Sequence, residues 1–314
     1  MAVRVAVTGS SGFVGGRIAN RLRAAGHSVL AYGRRPAREL CTPQADYTAW
    51  DIATTAIDAP PVDAVVHCAA LVGDWGPDSA YDTVNVEGTR NVARSFGCTT
   101  RMVHVSTSSV YSDHVTKVRV TETASSGDCR HSAYGRSKAR AEAVVRESWP
   151  TAVILRPHIV YGPGDTTLLP RLLASRRLGL LALPGSGRTL LSVTHVDNLA
   201  LAVECALRDG SGGGVFNVSD AETVSVDALL HTVFARLGVA VRLAHIPRAV
   251  AWGAARLLEH VWPSTGGRRG PPLTRYVVGQ LADEHTLDIT RARTVLGYVP
   301  RWTYRDGPLD MSTG

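Results

Sequence analysis

Tyr134 and Lys138 have the residue types and spacing of an acid–base pair in this 314-residue sequence. They lie four positions apart at the start of a predicted helix, so one helix face carries both side chains. A free phenol has a pKa of about 10, and a nearby ammonium favours the phenolate and lowers that pKa. Such a phenol could give a proton to a carbonyl or take one from an alcohol. Lys117 and Lys138 are the only lysines among 34 basic residues, which indicates that position 138 needs a compact ammonium.

A run of hydroxyl side chains accompanies this pair at the end of the fourth predicted strand. Residues 103–111 read Val-His-Val-Ser-Thr-Ser-Ser-Val-Tyr. A hydroxyl at the carboxyl end of a strand can hydrogen-bond a substrate oxygen beside the tyrosine. Most of these Ser and Thr side chains are expected to cap the local loop.

A glycine-rich loop follows the first predicted strand and opens the first predicted helix. Glycines in this context allow a tight turn, close approach of a pyrophosphate to the backbone, and close packing of helix on strand. The amino terminus of the helix offers free N–H groups and the positive end of its dipole to phosphates. The loop therefore predicts a dinucleotide site, with contacts from Gly9, Ser11, Gly12, Phe13, Val14 and Gly15.

The end of the second predicted strand indicates which dinucleotide binds. Enzymes that use NAD place an acidic residue there to bond the ribose 2′-hydroxyl. This sequence instead has Gly33 followed by Arg34 and Arg35. Guanidinium groups can bind a 2′-phosphate in a bidentate manner, whereas a carboxylate would repel it. We therefore expect NADP(H).

Short Val-rich segments alternate with helical patterns through the first half of the chain. They predict an α/β fold of the Rossmann type, with a doubly wound parallel sheet. We expect an NADP-binding domain over residues 1–165 and a smaller, interleaved substrate-binding lobe over 166–314, with 193–218 returning to the first domain. The predicted strands are Val3–Thr8, Ser28–Tyr32, Ala64–Cys68, Met102–Ser106 and Ala152–Arg156, and the predicted helices are Gly15–Ala25, Asp82–Phe96, Ser132–Ser148, Leu168–Arg177 and Arg248–Val261.

Composition narrows the functional classes. The formal net charge is +7, but the basic residues are scattered, which argues against nucleic acid and favours an anionic small molecule. The five cysteines are far apart and odd in number, which indicates reduced thiols and no metal site. We expect a cytoplasmic protein, since no signal peptide and no transmembrane helix are predicted and stable membrane association is not expected. Four histidines in strand or strand-end contexts are expected to be hydrogen-bonded packing residues and not metal ligands or bases, and they are His67, His104, His158 and His195.

Seven motifs together resemble the extended short-chain dehydrogenase/reductases, within the NAD(P)-dependent epimerase/dehydratase superfamily. The motifs are TGSSGFVG, VVHCAAL, NVEGTRNV, VHVSTSSVY, YGRSK, LRPHIVYGPGD and HVDNLA. The C-terminal segments near 272–276, 286–292 and 296–300 look like the 3β-hydroxysteroid dehydrogenase branch of that family, which includes reductases of 2-alkyl-3-keto acids. Two positions depart from the family pattern, since Ser112 replaces the usual Gly and Gly33 replaces the branch's common acid.

The resemblance implies roles for individual residues. Tyr134 matches the catalytic acid/base, Lys138 the residue that lowers its pKa and holds the nicotinamide ribose, and Thr107 the catalytic Ser/Thr. Asn85 matches the active-site Asn of the central helix. Further cofactor contacts are implied for Asp51, Ile52, Ala69, Ala70, Pro157 and Ile159. A homodimer through the helices 82–96 and 132–148 is also a family expectation.

Three functions fit these observations. The first is an NADP(H)-dependent oxidoreductase that transfers hydride to or from one secondary alcohol or ketone centre, with ketone reduction favoured. The second is a nucleotide-sugar epimerase that retains NAD, and the third is a non-catalytic NADP-sensing protein. The substrate pocket is expected at the loops 72–81, 112–131 and 162–192, where Trp75 and Tyr81 border the substrate or serve packing.

Overall fold

The structure is a computed structural model that describes residues 2–40, 46–165, 173, 175–177, 179–208, 212–262 and 270–308. The strands are β1 (Arg4–Thr8), β2 (Ser28–Gly33), β3 (Tyr47–Ala49), β4 (Ala64–His67), β5 (Arg101–Val105), β6 (Val153–Pro157), β7 (Val160–Tyr161), β8 (Leu180–Pro184), β9 (Leu190–Ser192), β10 (Thr194–His195), β11 (Gly214–Val218), β12 (Thr223–Ser225) and β13 (Arg242–Ile246). The α-helices are α1 (Phe13–Ala24), α2 (Asp78–Asp82), α3 (Gly88–Phe96), α4 (Ala133–Ser148), α5 (Val196–Ala206), α6 (Val226–Arg236), α7 (Arg248–Val261), α8 (Arg275–Ala282) and α9 (Thr290–Val295).

Seven parallel strands form the main sheet in the order β11-β6-β5-β4-β1-β2-β3. The chain builds outward from β1 first toward β3 and then, after a crossover, toward β11. The order therefore reverses between β1 and β4, and ligands of doubly wound sheets bind at the carboxyl ends of the strands at such a point. The predicted Rossmann-type fold is confirmed.

Successive side chains along the strands of the sheet pack alternately into two separate apolar cores. Val5 and Val7 of β1 pack in one core with Ile18 of α1 and Leu199 of α5. Ala6 points to the opposite face, in the core that contains Trp149 at the end of α4. Successive side chains of a strand face opposite sides, so Val- and Ala-rich strands are covered by helices on both faces.

The segment 193–218 contributes the helix α5 and the strand β11 to the main sheet and its helical layer. The strand β11 pairs in parallel with β6, and α5 packs on α1. Arg17 of α1 forms a bidentate pair with Asp197 of α5, which fixes the amino-terminal half of α1 against that helix. The predicted domain boundary at 165/166 adjoins residues outside the described set.

The elements β8, β9, β12, β13 and α6 pack around a core of their own, and together with α7 and α8 they are called the second lobe below. The strand β13 pairs in parallel with β8, β12 pairs antiparallel with β9, and α6 covers them with Leu230 and Phe234. A small cluster of Ala251, Ala255 and Val278 holds α8 against α7. The predicted helix Leu168–Arg177 lies mostly outside the described residues.

One predicted helix differs in form from the expectation. The segment 82–96 was expected as a single α-helix, but Thr83–Glu87 forms a π-helical turn between α2 and α3. π-Helical turns within α-helices occur often at functional sites, and this one carries Asn85. No described helix is both long and apolar enough to cross a membrane.

Candidate active site

The hydroxyl of Thr107 and the phenol of Tyr134 meet at the carboxyl edge of the sheet. Thr107 follows β5 and begins the short 3-10 helix Ser108–Val110, whose Ser109 N–H donates to the Thr107 hydroxyl at 3.2 Å. Tyr134 lies in the first turn of α4, which starts at the capping side chain of Ser132. The Thr107 side chain is close enough to the Tyr134 phenol to lower its pKa by a hydrogen-bonding effect. The two predicted catalytic groups are therefore neighbours in the structure.

Lys138 lies one helical turn further along α4, and its ammonium is turned into the protein. The side chain is 2% exposed, and Nζ donates to the Val105 carbonyl at 2.8 Å. It also lies 3.1 Å from Nε2 of His104, which can accept only in the tautomer with its proton on Nδ1. Burial lowers the pKa of Lys138 to about 8, against a raising effect of Glu142. His104 was expected to be a hydrogen-bonded packing residue, and its hydrogen bond to the lysine agrees with this.

The electrostatics of Tyr134 differ from the sequence-based expectation. Lys138 was expected to lower the pKa of this phenol, but the structure shows the pKa raised above 10. Burial is the largest cause, and the phenols of Tyr276 and Tyr81 add to it, whereas the Thr107 hydrogen bond acts in the opposite direction. The Tyr81 ring centroid lies 6.5 Å from that of Tyr134. Tyr134 is therefore held in its protonated form, which suits it to give a proton.

Asn85 uses its side chain to hold neighbouring elements together. Its Oδ1 accepts from the Leu71 N–H at 2.7 Å, and Nδ2 donates to the Leu71 carbonyl at 3.1 Å and to Ser137 Oγ at 2.8 Å. The side chain is 1% exposed. Asn85 therefore links the loop after β4 to α4, the helix that carries Tyr134 and Lys138.

The glycine loop forms a cradle that no larger residues could form. A Cβ on Gly15 would lie 2.3 Å from the Gly9 carbonyl oxygen, and one on Gly9 would lie 2.7 Å from the Ala69 nitrogen. Gly9 also has a φ of +74°, which disfavours other residues. The first N–H groups of α1 have no partner within the helix and face this loop. A pyrophosphate fits this arrangement, and the loop with Ser11, Gly12, Phe13 and Val14 would hold it.

The edge of the cradle near β2 contains two hydroxyls and an arginine. A Cβ on Gly33 would lie 2.4 Å from Ser11 Oγ and 2.8 Å from the Tyr47 hydroxyl. Arg35 donates to the Ser11 carbonyl, and its own carbonyl accepts from the Tyr47 hydroxyl at 2.5 Å. The space that an acidic side chain would take is therefore occupied by hydroxyls. Sequence reasoning missed Tyr47, which is distant from the glycine loop along the chain.

The remaining predicted cofactor residues line the same edge of the sheet. Ala69 follows β4, and its N–H donates to the Thr8 hydroxyl at 3.3 Å, which brings it beside Gly9. Ile52 is buried after β3, where a Cβ on Gly88 would meet its side chain. Ile159 follows Pro157 at the end of β6 and has a φ of +38°, an uncommon and strained conformation for a β-branched residue. Of the rest, the structure places Asp51 beside Ile52, Ala70 beside Ala69, and Arg34 exposed beside Arg35.

A buried ion pair, which sequence reasoning missed, lies behind the catalytic residues. Glu142 lies on α4 four residues after Lys138, and it forms a bidentate pair with Arg156 of β6 at 2.9 and 2.6 Å. The Ser106 hydroxyl donates to the same carboxylate at 2.6 Å. The two charged side chains are 1% and 2% exposed. The pair therefore ties β6, α4 and the residue before Thr107 into one unit.

Tyr276 enters the site from the second lobe. Its hydroxyl lies 2.9 Å from Ser109 Oγ, and burial raises its pKa to about 12. In the sequence, Tyr276 stands out only as part of the segment 272–276 that resembles the family. No local pattern relates α8 to β5. Within the described residues, no group of three or more His, Cys, Asp or Glu side chains could hold a metal ion.

Four buried histidines surround the site and make the folded state sensitive to acid. Burial lowers the pKa of His67 and of His158 to about 3, and it places those of His104 and His285 well below 6.5. The rings of His158 and His285 stack with centroids 3.9 Å apart. These side chains are therefore neutral in the folded protein at physiological pH.

We expect the free energy of unfolding to decrease as the pH falls below 6.5. The unfolded chain takes up protons there, whereas His67 and His158 remain neutral until about pH 3. Each such histidine contributes about 1.4 kcal/mol per pH unit over this window, and the contribution is complete above pH 6.5. Urea denaturation between pH 7.5 and 5 measures the slope. His285→Phe should reduce the slope by about one histidine's share, and the exposed His260→Gln should not; equal slopes would contradict this assignment.

The comparisons with known proteins agree with the geometry of this site. Residues 5–219 match the NAD dependent epimerase/dehydratase family. The chain belongs to this family. The resemblance to extended short-chain dehydrogenase/reductases is thereby confirmed, and a pyridine nucleotide is its supported cofactor.

Relatives and solved structures of the family match along nearly the whole chain. A 2-alkyl-3-oxoalkanoate reductase of Stenotrophomonas maltophilia is 32% identical over 97% of each chain. A 4-hydroxy-2-methyl-3-oxo-4-farnesyl-3,4-dihydroquinoline-1-oxide ketoreductase of Stigmatella aurantiaca is 31% identical over 97% of this chain and 94% of its own. The structure of MoeE5 in complex with UDP-glucuronic acid and NAD superposes with a TM-score of 0.72 at 25% identity, covering 97% of this chain and 96% of that one.

Proposed function

We propose that this protein reduces the ketone of a small-molecule substrate with NADPH. The observation that carries the proposal is that Thr107, which follows β5, and Tyr134 and Lys138 of α4 lie together, with Lys138 Nζ donating to the Val105 carbonyl of β5 at 2.8 Å. The relatives named as reductases of 3-oxo compounds support the same reaction. The dinucleotide, when bound, supplies the hydride.

The protein's own residues would handle the substrate oxygen and its proton. Thr107 would hold the carbonyl oxygen by a hydrogen bond, and Tyr134 would donate its proton to that oxygen as an alcohol forms. Burial raises the pKa of Tyr134, which keeps the phenol protonated and able to donate. Lys138, held by Val105 and His104, would support the ribose beside the phenol.

Deuterium transfer tests the reaction. Purified protein is incubated with NADPH carrying deuterium at C4 and a panel of ketones that includes 2-alkyl-3-oxo acids and their esters, and the alcohols are analysed by mass spectrometry. We expect one deuterium at the carbinol carbon. Absence of transfer to every ketone of the panel, with NADPH bound, would favour the non-catalytic NADP-sensing protein.

The preference for NADPH rests on Gly33, Arg34 and Arg35. The absence of a carboxylate at position 33 removes a repulsion, and Arg35 lies against the glycine loop at Ser11. A 2′-phosphate at this edge would accept from both guanidiniums and from the Ser11 hydroxyl, whereas the Tyr47 hydroxyl donates to the Arg35 carbonyl.

The double variant Arg34→Ala/Arg35→Ala should raise KM for NADPH by about 10- to 100-fold, the loss of one or two charge-assisted hydrogen bonds. KM for NADH should change much less, since NADH has no phosphate at that position. Steady-state kinetics with each coenzyme measures the ratio. Arg38→Ala, an exposed arginine nearby, is the matched control, and an unchanged NADPH/NADH ratio in the double variant would refute the assignment.

A nucleotide-sugar epimerase is the second candidate, because the MoeE5 structure holds UDP-glucuronic acid and NAD. Such an enzyme oxidises and re-reduces one carbon with a retained coenzyme. Purified protein that carries tightly bound NAD would favour it.

The homodimer and the cytoplasmic location stay predictions. In the helix face that is expected to dimerise, Arg136 and Arg140 of α4 pair with Asp78 and Asp82 of the same chain.

A further inference from the structure

Tyr276 connects the second lobe to the catalytic hydroxyls, and its own hydroxyl neither gives nor takes the proton in the reaction proposed above. Thr107 Oγ1 donates to Ser109 Oγ at 3.2 Å, and Ser109 Oγ lies 2.9 Å from the Tyr276 hydroxyl. The hydroxyls of Thr107, Ser109 and Tyr276 thus form one continuous chain that joins the loop after β5 to α8.

The number of protons in this chain shows which hydroxyl is available to a ligand. Each hydroxyl carries a single proton and can donate one hydrogen bond. Thr107 donates to Ser109, and with Ser109 as the donor of the next bond its proton is directed to the oxygen of Tyr276. The proton of Tyr276 is then the one that no member of the chain accepts. Tyr276 is half-buried, and its phenol is close enough to Tyr134 to raise the pKa of that residue.

The helix that carries Tyr276 is held rigidly. Thr274 caps α8 by accepting from the Val277 N–H at 3.2 Å, and its own hydroxyl donates to Asp74 in the loop after β4 at 3.0 Å. Arg275 forms an ion pair with Glu259 of α7 at 2.6 Å. The Tyr276 hydroxyl is therefore placed before a substrate binds, which reduces the entropy lost on binding.

We propose that Tyr276 determines substrate specificity by donating a hydrogen bond to a second, uncharged oxygen of the substrate. The two bonds in series place its hydroxyl at most about 6 Å from Thr107 Oγ1. A substrate with one oxygen at Thr107 and another at Tyr276 spans this gap when the second oxygen is attached at or beyond the β-carbon. The substrate class is a β-keto ester, a β-keto amide or a β-hydroxy ketone. The inference rests on the proposed ketone reduction.

Paired substrates test the inference. One is a β-keto ester, and the other is the ketone of equal length in which an alkyl chain replaces the ester. Tyr276→Phe keeps the ring and removes only the hydroxyl, so kcat/KM for the ester should fall about tenfold more than kcat/KM for the plain ketone. Tyr298→Phe is the matched control, because the Tyr298 hydroxyl donates to the Ser219 carbonyl at 2.9 Å; it should leave the ester-to-ketone ratio unchanged.

Each outcome separates this inference from the proposed function. An equal loss on both substrates, or no loss on either, would overturn the role of Tyr276 while wild-type turnover still supports ketone reduction. A wild-type enzyme that reduces neither substrate would overturn the proposed function itself. Should Tyr276→Phe fail to fold, the wild type still decides, since it must prefer the ester to the ketone.

Discussion

Replacement of Tyr134 by Phe should lower kcat for ketone reduction by about 10³-fold, within the usual range for loss of a general acid. The phenol is the proton donor, and its raised pKa shows that the site keeps it protonated. Phe retains the ring that packs beside Tyr81, so the binding of NADPH should change little. Stopped-flow or steady-state NADPH oxidation measures kcat, and fluorescence titration measures coenzyme binding.

The interpretation of this variant depends on the coenzyme measurement. A large loss of NADPH affinity would mean that Tyr134 positions the coenzyme and that the loss of rate is indirect. Full activity in Tyr134→Phe would remove this residue from the reaction. The change of Tyr298 to Phe serves again as the control, since it removes a phenol hydroxyl bonded to Ser219.

Replacement of Gly15 by Ala should weaken NADPH binding by at least about 100-fold. The added methyl group would lie 2.3 Å from the Gly9 carbonyl oxygen and 2.6 Å from its carbon, both backbone atoms. The loop has to shift, and two charge-assisted hydrogen bonds of about 1.5 kcal/mol each to the pyrophosphate would be lost. Isothermal titration with NADPH and thermal unfolding of the apoprotein measure the two consequences.

Gly253 provides the matched control for this change. It lies within α7, and nothing is found within 4 Å of a Cβ built on it. Ala there should leave coenzyme affinity unchanged and stabilise the fold by about 0.5–1 kcal/mol, the usual difference between Gly and Ala in a helix. Normal NADPH binding by Gly15→Ala would show that the loop does not hold the pyrophosphate in the way described.

The sequence predicted most of the sheet because its signals are local. Val-rich segments placed five of the strands within one or two residues of their observed ends, and Arg248–Val261 was predicted with its observed bounds. The π-helical turn at Thr83–Glu87 was missed, because it depends on how Asn85 packs against Leu71 and Ser137 and not on residue propensity.

The candidate site was predicted only in its local parts. The spacing of Tyr134 and Lys138 and the pattern of the glycine loop are properties of short segments, which a helix or a turn converts directly into proximity. The predicted direction of the Tyr134 pKa shift was wrong. The shift arises from burial and from phenols on α2 and α8, and the short segment around Tyr134 contains no information about either.

By itself the sequence determined the family, the parallel sheet, and which residues could carry the proton and the pyrophosphate. Only the tertiary structure decided that Lys138 faces His104 and Val105, that Glu142 and Arg156 form a buried pair behind them, and that Tyr276 completes the hydroxyl chain. The physical reason is that burial and long-range contacts set these electrostatic environments. They depend on how separate elements pack, which residue type and spacing along one segment do not specify.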